Sequence, residues 1–199
     1  MHALLLTIFV DTVGFGIILP LLPFFAEKFG ASPLEVTLLA TVYSFSQFIF
    51  APVWGRFSDR MGRRPIILAT LTGLFCGYVA LTITNSLLML FLARAFTGAM
   101  AANAGVIQAF IADVTNTSVR AGAMAKVGAA HGLGFIVGPA IGGMLAGSDP
   151  VDPNLVLPFV IAASLSATAL VIAYFQVHET ISGDLRDHVV QQQRSLHRV

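Results

Sequence analysis

The chain contains 199 residues, of which 56% are hydrophobic and only 11% are charged, and its formal net charge at pH 7 is +1. About a quarter of the residues in a soluble domain are charged, so this composition excludes a water-soluble fold and predicts that lipid surrounds most of the chain. A net charge so close to zero gives no support to nucleic-acid binding. The single cysteine, Cys76, cannot form a disulfide within the chain and is expected to be a small buried residue.

Six apolar runs are long enough to cross a bilayer, which requires about 20 mostly apolar residues in a helix. None of them alternates in the short segments of about ten residues that are typical of a membrane β-barrel. The sequence therefore predicts an all-α membrane protein with six transmembrane helices, which form one unit over residues 1–177. The predicted helices cover approximately residues 3–25, 35–54, 65–84, 87–112, 122–146 and 155–176.

The first run contains an aspartate, Asp11, at a depth where a charge would lie inside the membrane. A secretory signal is the alternative interpretation of this run. However, Met1, His2 and Ala3 provide no basic residue before the run, and no small-residue cleavage site follows it. We therefore expect a transmembrane helix.

The segment GRFSDRMGRRP, Gly55–Pro65, separates the second and third runs and contains four arginines and one aspartate. Its glycines allow the backbone to turn sharply between two helices. Pro65 suits the first turn of the next helix, where the backbone amide has no partner in any case. Asp59 can accept hydrogen bonds from arginines or from a helix N-terminus. The segment is predicted to be a short loop.

The basic residues are distributed unevenly between the two sides of the predicted membrane. Loops rich in lysine and arginine remain cytoplasmic, so this distribution places both termini and the segment GRFSDRMGRRP in the cytoplasm. Residues 178–199 are polar, lack apolar periodicity and are predicted to be a cytoplasmic tail. Nine of the 11 basic residues lie on this side: Arg56, Arg60, Arg63, Arg64, Arg120, Lys126, Arg186, Arg194 and Arg198.

Two further ionisable residues lie well inside apolar runs, Arg94 in the fourth and His131 in the fifth. A charge near the bilayer centre costs about 3 kcal/mol on insertion scales, so such residues usually face a partner or a watery cavity. We hypothesise that Asp11 binds and releases a proton and that Arg94 tunes it, with the two roughly one helical turn apart in height. A purely structural role for Asp11 is the alternative. His131 is either a proton relay or a packing residue.

Uncharged polar residues also occur in the second and fourth runs. Gln47, Asn103 and Gln108 either line a cavity or hydrogen-bond between helices. Asp113 and Arg120 flank the fourth connection, on the same side as the arginines of the second connection. They either form an ion-pair network with those arginines or are solvated.

The fifth run is rich in glycine. Gly134, Gly138 and Gly142 recur every four residues and therefore share one helix face, while Gly143 begins a second pair with Gly147. Such a face permits close approach of another helix. Pro139 removes one backbone hydrogen bond in the middle of the run.

The segment between the second and third runs resembles the signature of the major facilitator superfamily, G-x-x-x-D-R-x-G-R-R. In that family the segment is thought to act as a latch, whose aspartate meets a helix of the other half in the outward-facing state. Asp59 takes this place here. The matching residues are Gly55, Asp59, Arg60, Gly62, Arg63 and Arg64, with no departure from the pattern.

Four more segments extend the resemblance to about residues 3–180. DTVGFGIILPLLP resembles the first helix of the drug:proton antiporters with twelve helices, and RAFTGAMAANAG resembles their fourth-helix motif, in which Arg94 would be linked to proton coupling. GFIVGPAIGG resembles the fifth-helix motif of exporters, whose glycine face the resemblance expects to meet the absent second half. FIADVTNTSVRAGAM is similar to the loop after the fourth helix in bacterial tetracycline and multidrug exporters. One departure is Gly77, which stands where tetracycline exporters carry an acidic residue.

The resemblance implies an N-terminal six-helix half, an inverted 3+3 repeat, of a secondary active transporter. The implied function is proton-coupled efflux of small amphipathic molecules or drugs through the bacterial inner membrane. The expected partners are the lipid bilayer, protons, a small-molecule substrate and either the missing C-terminal half or a second chain. The chain is expected to be a fragment, a truncated gene product or a half that pairs with another chain.

Two other functions remain open: a non-transporting half-length membrane protein that binds or regulates a full-length transporter, and an importer or uniporter of the same fold. ATP-driven export is disfavoured because the sequence has no G-x-x-x-x-G-K-[ST] loop. It also lacks zinc-ligand spacing and a nucleophile elbow. We therefore expect no cofactor, no metal site and no enzymatic activity.

Overall fold

A computed structural model of the protein describes residues 2–147 and 156–179. Throughout these residues the regular structure is helical, and six helical spans are long and apolar enough to cross a membrane, as predicted. The tail from residue 180 onward and the connection with Asp149 and Asp152 lie outside the described residues. The six spans are Leu4–Glu27, Pro33–Met61, Arg63–Thr82, Leu87–Val114, Thr117–Ala146 and Val156–Gln176.

The first span is an interrupted helix. Pro20 and Pro23 have no backbone N–H to donate, and the chain passes through a short 3₁₀ turn around them. The three pieces are His2–Ile18, the 3₁₀ turn Leu19–Leu21 and the helix Leu22–Glu27.

The fourth span is also interrupted, which the sequence did not predict. Its helices are Leu87–Met100 and Ala104–Val114, and residues 101–103 between them form a turn. This break lies beside the cavity described below.

The prediction of a loop over Gly55–Pro65 is wrong, because most of this segment is helical. The second helix, Pro33–Met61, continues through most of the segment, and the third, Arg63–Thr82, begins before Pro65. Gly62 alone separates them, with φ of 106°. This left-handed conformation is open to glycine without a steric cost, which explains why one residue is enough for the turn.

Two spans begin at serine N-caps. Ser32 Oγ accepts a hydrogen bond from the Glu35 backbone N–H, and the Glu35 side chain accepts one from the Ser32 N–H at 2.8 Å. This reciprocal capping box satisfies two amides that the helix itself leaves unpaired. Ser86 caps the fourth span through the Met89 N–H.

The packing of the spans follows an inverted 3+3 repeat, in which the first three spans correspond to the last three. The first span packs against the fifth and sixth, and the fourth correspondingly packs against the second and third. The third and sixth spans, which correspond to each other, also pack together. This pattern confirms the predicted fold class.

Two clusters of buried apolar side chains fill the bundle. One, near the end that carries Gly62, includes Ile66 and Phe110, and we call this the arginine-rich end. The other, towards the opposite end, includes Ile17 and Phe159. The candidate site lies where the two clusters meet.

The outer surface of the bundle carries apolar side chains. The second span is the least buried of the six within this chain, and Phe45 and Phe48 are 62% and 78% exposed. Cys76 is also exposed, so the prediction of a buried cysteine is wrong. The reason is its position on the third span, where Leu74 and Tyr78 face inwards and Cys76 faces outwards.

Candidate functional site

A cavity of about 200 Å³ lies among the first five spans, which is room for several water molecules. Its wall combines ionisable, amide and aromatic side chains within a bundle that is otherwise apolar. The lining residues are Ile8, Asp11, Thr12, Phe15, Tyr43, Gln47, Leu74, Tyr78, Ala101, Asn103, Ala104, Ile107, His131 and Phe135.

Asp11 contributes the carboxyl group of this cavity. Its side chain is half-buried, and its Oδ1 atom is buried without a hydrogen-bond partner in the described part of the chain. On the sixth span, the hydroxyl oxygen of the buried Ser166 also lacks a partner in the described residues. Asp11 thus brings an ionisable group into the cavity wall, with one carboxyl oxygen buried and unpartnered in the described residues.

Arg94 is 1% exposed and stacks on aromatic rings. Its Cζ atom lies 4.3 Å from the ring centroid of Tyr43 and 6.0 Å from that of Phe15. In the described residues no ion pair joins Arg94 to Asp11, and Arg94 Nε and Nη1 have no hydrogen-bond partner. Tyr43 lies within electrostatic range of both Asp11 and Arg94, the two groups predicted to act together.

His131 lies in the same cavity wall as Asp11, which the sequence could not establish. Its Nδ1 atom is 3.1 Å from the Val127 carbonyl oxygen. A carbonyl oxygen only accepts, so Nδ1 donates in this contact. One nitrogen thus fixes the ring, as expected of a packing residue, and the relay role stays a prediction.

Gln47 and Asn103 fulfil both of the roles that the sequence allowed. Both line the cavity. Gln47 Nε2 donates to the Ala101 carbonyl oxygen at 3.1 Å, and Asn103 Nδ2 donates to the Thr70 hydroxyl oxygen at 2.9 Å. These bonds connect the break in the fourth span to the second and third spans.

The break in the fourth span is held by donors from the second span. A helix that ends at Met100 leaves its last carbonyl groups without intrahelical partners. Trp54 Nε1 donates to the Ala99 carbonyl oxygen at 2.7 Å, and Gln47 Nε2 donates to the Ala101 carbonyl oxygen. The only sequence signal for this break was the small-residue segment that ends in Asn103 and Gly105, residues that favour turns over helix interiors.

The structure places Gln108 on the exposed surface of the fourth span, outside the lining of this cavity. Aromatic residues that the sequence analysis did not identify line it instead: Phe15, Tyr43, Tyr78 and Phe135. These residues could not be recognised as cavity residues from the sequence, because a phenyl or phenol ring suits a lipid-facing, core or cavity position equally well.

At the arginine-rich end, Arg63 bonds three side chains, of which Asp59 and Asp113 belong to the predicted network and Ser58 does not. Its Nη1 atom donates to Ser58 Oγ and to Asp59 Oδ1, at 2.5 and 2.6 Å. Its Nε atom donates to Asp113 Oδ2 at 3.2 Å. The predicted ion-pair network therefore includes Asp113. Arg120 instead donates to the carbonyl groups at the end of the fourth span.

The sixth span reaches the same end of the bundle. Arg64 Nη2 donates to the Tyr174 carbonyl oxygen at 2.9 Å, and Arg64 Cζ lies 5.6 Å from the Tyr174 ring centroid. Glu179 Oε1 accepts a hydrogen bond from the Arg63 backbone N–H at 3.0 Å. Sequence analysis assigned Glu179 to a cytoplasmic tail and missed this contact, because nothing near Glu179 in the sequence indicates its partner.

The glycine face of the fifth span packs inside this unit, so the prediction that it meets a second half is wrong. A Cβ atom at Gly138 would lie 2.7 Å from Gly16 Cα, and one at Gly142 would lie 2.6 Å from the Ile17 carbonyl oxygen. Gly134 is equally close to Thr12. The three glycines lie on one face of the fifth helix, and in the folded unit this face packs against the first span. Gly143, by contrast, has open space around it, and Pro139 lies within the continuous helix.

Gly77 is buried against the fourth span, where a Cβ atom would collide with Thr97. The position has no room for a larger side chain unless Thr97 moves. Leu74 and Tyr78 are the residues of the third span that line the cavity.

Six apolar helices, packed around a cavity with a carboxyl group and an imidazole, define the described part of the chain as a multi-pass membrane protein. The chain belongs to the Major Facilitator Superfamily, whose family model matches residues 4–193. The predicted resemblance is therefore confirmed.

Among curated proteins, the chain is 40% identical over 177 residues to the class D tetracycline resistance protein of Salmonella ordonez. That match covers 87% of this chain and 43% of the relative. The chain is also 31% identical over 180 residues to multidrug resistance protein 2 of Bacillus subtilis (strain 168), which covers 90% of this chain and 44% of the relative. The chain thus spans less than half the length of these relatives.

Among solved structures, the human organic anion transporter MFSD10 (TETRAN) matches with a TM-score of 0.82 and 25% identity, over 93% of this chain and 48% of that chain. The peptide transporter POT, in complex with sulfate, matches with a TM-score of 0.77 over 98% of this chain and 43% of that chain. Its identity is 15%, so it supports the fold alone.

Proposed function

We propose that the protein is the N-terminal six-helix half of a secondary transporter that couples proton entry to the efflux of small amphipathic molecules. The observation that carries this proposal is the cavity, which combines a carboxyl group, an imidazole and aromatic rings in one space inside the bundle. Aromatic rings bind the apolar part of an amphipathic molecule, and a few polar groups fix its orientation.

Asp11 is the proton carrier in this proposal. When Asp11 is ionised, the cavity attracts a cationic or hydrogen-bonding group of the substrate. Protonation neutralises Asp11 and weakens this attraction, so a proton that enters from outside favours release of the substrate. His131 Nε2 accepts a proton on its way to or from the carboxyl group, and Arg94 tunes Asp11 through the Tyr43 ring on which it stacks.

The second wall of the passage comes from another six-helix unit, either a C-terminal half or a second chain. The match to less than half of each relative supports this arrangement, as do the exposed aromatic residues of the second span. The protein lies in the bacterial inner membrane with both termini in the cytoplasm. In this orientation the network around Arg63 is on the cytoplasmic side, where Asp59 serves as the latch towards the second unit.

Substrate-driven proton movement tests the proposal. In energised inverted vesicles from cells that express the protein, we expect ethidium or tetracycline to release accumulated protons, recorded with a fluorescent pH indicator. Asp11→Asn should abolish the response, because the amide cannot carry the proton. Glu27→Gln is the matched control, since it removes an exposed carboxylate that neither lines the cavity nor belongs to the network around Arg63. Full activity of Asp11→Asn would refute the role of Asp11.

The two probes also address substrate class. Gly77 leaves no acidic side chain in the third span, so we expect a stronger response to ethidium than to tetracycline. The opposite order would place the protein with the tetracycline exporters.

A second candidate is a non-transporting protein that binds a full-length transporter. The exposed aromatic side chains Phe45 and Phe48 favour association with another membrane protein, which suits this candidate as well. Co-purification with a full-length transporter, without any substrate-driven proton movement, would favour it over the exporter.

A further inference from the structure

Three of the aromatic rings that line the cavity form a continuous series of contacts. Phe15 stacks on Tyr43 with 5.2 Å between the ring centroids and an interplanar angle of 29°. Phe15 also meets Phe135 edge to face, with 5.8 Å between the centroids and an angle of 87°. Both distances lie within the range of about 4.5–7 Å over which aromatic pairs attract each other. We call these three residues the ring cluster.

The ring cluster lies at the end of the cavity that is remote from the arginine-rich end. The first and fifth spans run away from the arginine-rich end, and the second span runs towards it. Phe15 and Phe135 come later in their spans than the other cavity residues, and Tyr43 comes earlier in its span. All three rings therefore lie on the same side of the cavity.

The contact between Phe15 and Tyr43 joins two groups of helices across the cavity. The helix His2–Ile18 packs mainly against the fifth and sixth spans, whereas the second span packs mainly against the fourth. Any movement that separates these two groups must therefore part the two rings.

Arg94 of the fourth span holds the ring cluster at Tyr43. Its Cζ atom lies 4.3 Å from the ring centroid of Tyr43 and 6.0 Å from that of Phe15. A guanidinium group is attracted to the face of an aromatic ring, and the attraction is greater when both are removed from water, as Arg94 is here. Gly98, one turn further along the fourth span, lies against the second span, because a Cβ atom there would collide with the Tyr43 carbonyl oxygen. The fourth span thus fixes both the backbone and the ring of Tyr43.

We propose that the ring cluster is a gate, whose rings close the cavity on the side remote from the arginine-rich end while Arg94 holds Tyr43 in the closed position. An apolar constriction excludes water and opens when its walls separate. The inference rests on the proposed function, because a gate is needed only if the cavity opens in turn to the two sides of the membrane. It gives the rings a second role besides contact with the substrate.

Labelling of a single cysteine from each side of the membrane tests the gate without substrate or a proton gradient. In the whole chain with its one native cysteine removed by Cys76→Ser, Ala104→Cys places a thiol in the cavity wall on the arginine-rich side of the rings. A membrane-impermeant cationic methanethiosulfonate reagent is applied to intact cells and to inverted vesicles. We expect the thiol to react from the face that holds the arginine-rich end and to be protected from the other face. Arg56→Cys, exposed at that end, reports which face this is.

Removal of a ring should expose the thiol to the protected face. In Phe15→Ala and Tyr43→Ala we expect the rate from that face to rise by about tenfold or more, because a wet gap replaces a contact that excludes water. Tyr43→Phe keeps the ring, so its rate should stay within about twofold of the parent rate. Arg94→Lys keeps the charge but loses the planar group that stacks on the ring, so its rate should also rise. Phe96→Ala is the matched control, since it removes an exposed ring of the fourth span outside the ring cluster.

A variant is judged to be folded when its rate from the open face equals that of the parent. Phe135→Ala provides a further ring deletion that the fold should tolerate, because this side chain is 47% exposed. Equal labelling of the parent from both faces, or labelling from neither, would overturn the proposal, and so would continued protection in the folded ring variants. An unchanged rate in Arg94→Lys would refute the part of Arg94 in the gate.

The gate and the proposed function fail in different measurements. If labelling has no preferred face but substrate-driven proton movement is intact, the gate alone is refuted. If labelling has the expected preference but no substrate moves protons, the gate stands and the proposed exporter is refuted.

Discussion

The Glu179 carboxylate accepts a hydrogen bond from the Arg63 backbone N–H, with 3.0 Å between Oε1 and N. This contact joins the residues that follow the sixth span to the first turn of the third span. Because the first amides of a helix have no intrahelical partner, a carboxylate at this position satisfies a donor and also complements the positive end of the helix dipole. The arginine-rich end of the bundle is thereby closed by the chain itself.

Loss of the Glu179 cap should lower stability. We expect Glu179→Ala to reduce the free energy of unfolding by about 0.5–1 kcal/mol, which is the lower part of the range for helix caps because this side chain is exposed. Glu179→Gln keeps an acceptor oxygen and should lose less. Thermal unfolding in detergent, followed by circular dichroism, measures both. Glu27→Ala, at an exposed position beyond the other end of the bundle, should have no effect. Equal stability of Glu179→Ala and wild type would show that the contact contributes nothing.

Replacement of Arg63 should show that the network depends on the guanidinium fork. Arg63→Lys keeps the positive charge but cannot bond Asp59 and Asp113 in different directions at once. We expect a loss of about 1 kcal/mol in the free energy of unfolding, since the partner carboxylates are partly exposed. A double-mutant cycle with Asp113→Asn should give a coupling of about 0.5 kcal/mol or more. Arg56→Lys, on the exposed surface of the second span, is the control, and a loss of equal size there would contradict the prediction.

Two glycines of one helix should respond in opposite ways to alanine. At Gly138 the new methyl group would lie 2.7 Å from Gly16 Cα, so Gly138→Ala forces the first and fifth spans apart. We expect a loss of about 2–3 kcal/mol. Gly143 has no neighbour within 4 Å, and alanine is the better helix former, so Gly143→Ala should be neutral or slightly stabilising. Equal melting temperatures for the two variants would mean that the fifth span does not lie against the first as described.

The indole of Trp54 should stabilise the break in the fourth span. Trp54→Phe removes the donor to the Ala99 carbonyl oxygen and leaves a partly buried acceptor unpaired, at a cost of about 1–2 kcal/mol. Hydrogen exchange of the backbone amides around residues 99–103 should speed up in this variant. Phe57→Leu removes a ring that only neighbours the indole and should leave exchange there unchanged. Faster exchange throughout the bundle, rather than at the break, would argue against a local role.

The number, order and approximate bounds of the spans could be predicted from the sequence because hydropathy is a local property. A helix in lipid must satisfy its own backbone hydrogen bonds, so a long apolar run has few structural alternatives. The residues at which individual helices end were less predictable. The second helix continues past residue 54 because arginine and methionine, as at Arg56, Arg60 and Met61, are good helix formers, and the turn needs only Gly62.

The candidate site was predicted in part. Asp11, Arg94 and His131 were recognisable because charged or titratable groups inside apolar runs are costly and therefore informative. Gln47 and Asn103 were recognised as polar, and the structure adds which carbonyl and hydroxyl groups they bond. Tyr43 was not identified, since aromatic side chains are tolerated almost anywhere in a membrane helix.

By itself, the sequence determined that this is a six-span helical membrane protein with a charged turn between its second and third spans, because burial in lipid constrains each segment independently of the others. Only the tertiary structure decided that Arg94 stacks on Tyr43 without pairing with Asp11, and that the glycines of the fifth span face the first. It also decided that Glu179 returns to cap the third span. Each of these contacts joins residues far apart in the chain, and which pairs meet depends on how the helices rotate and cross, a property that no single segment encodes.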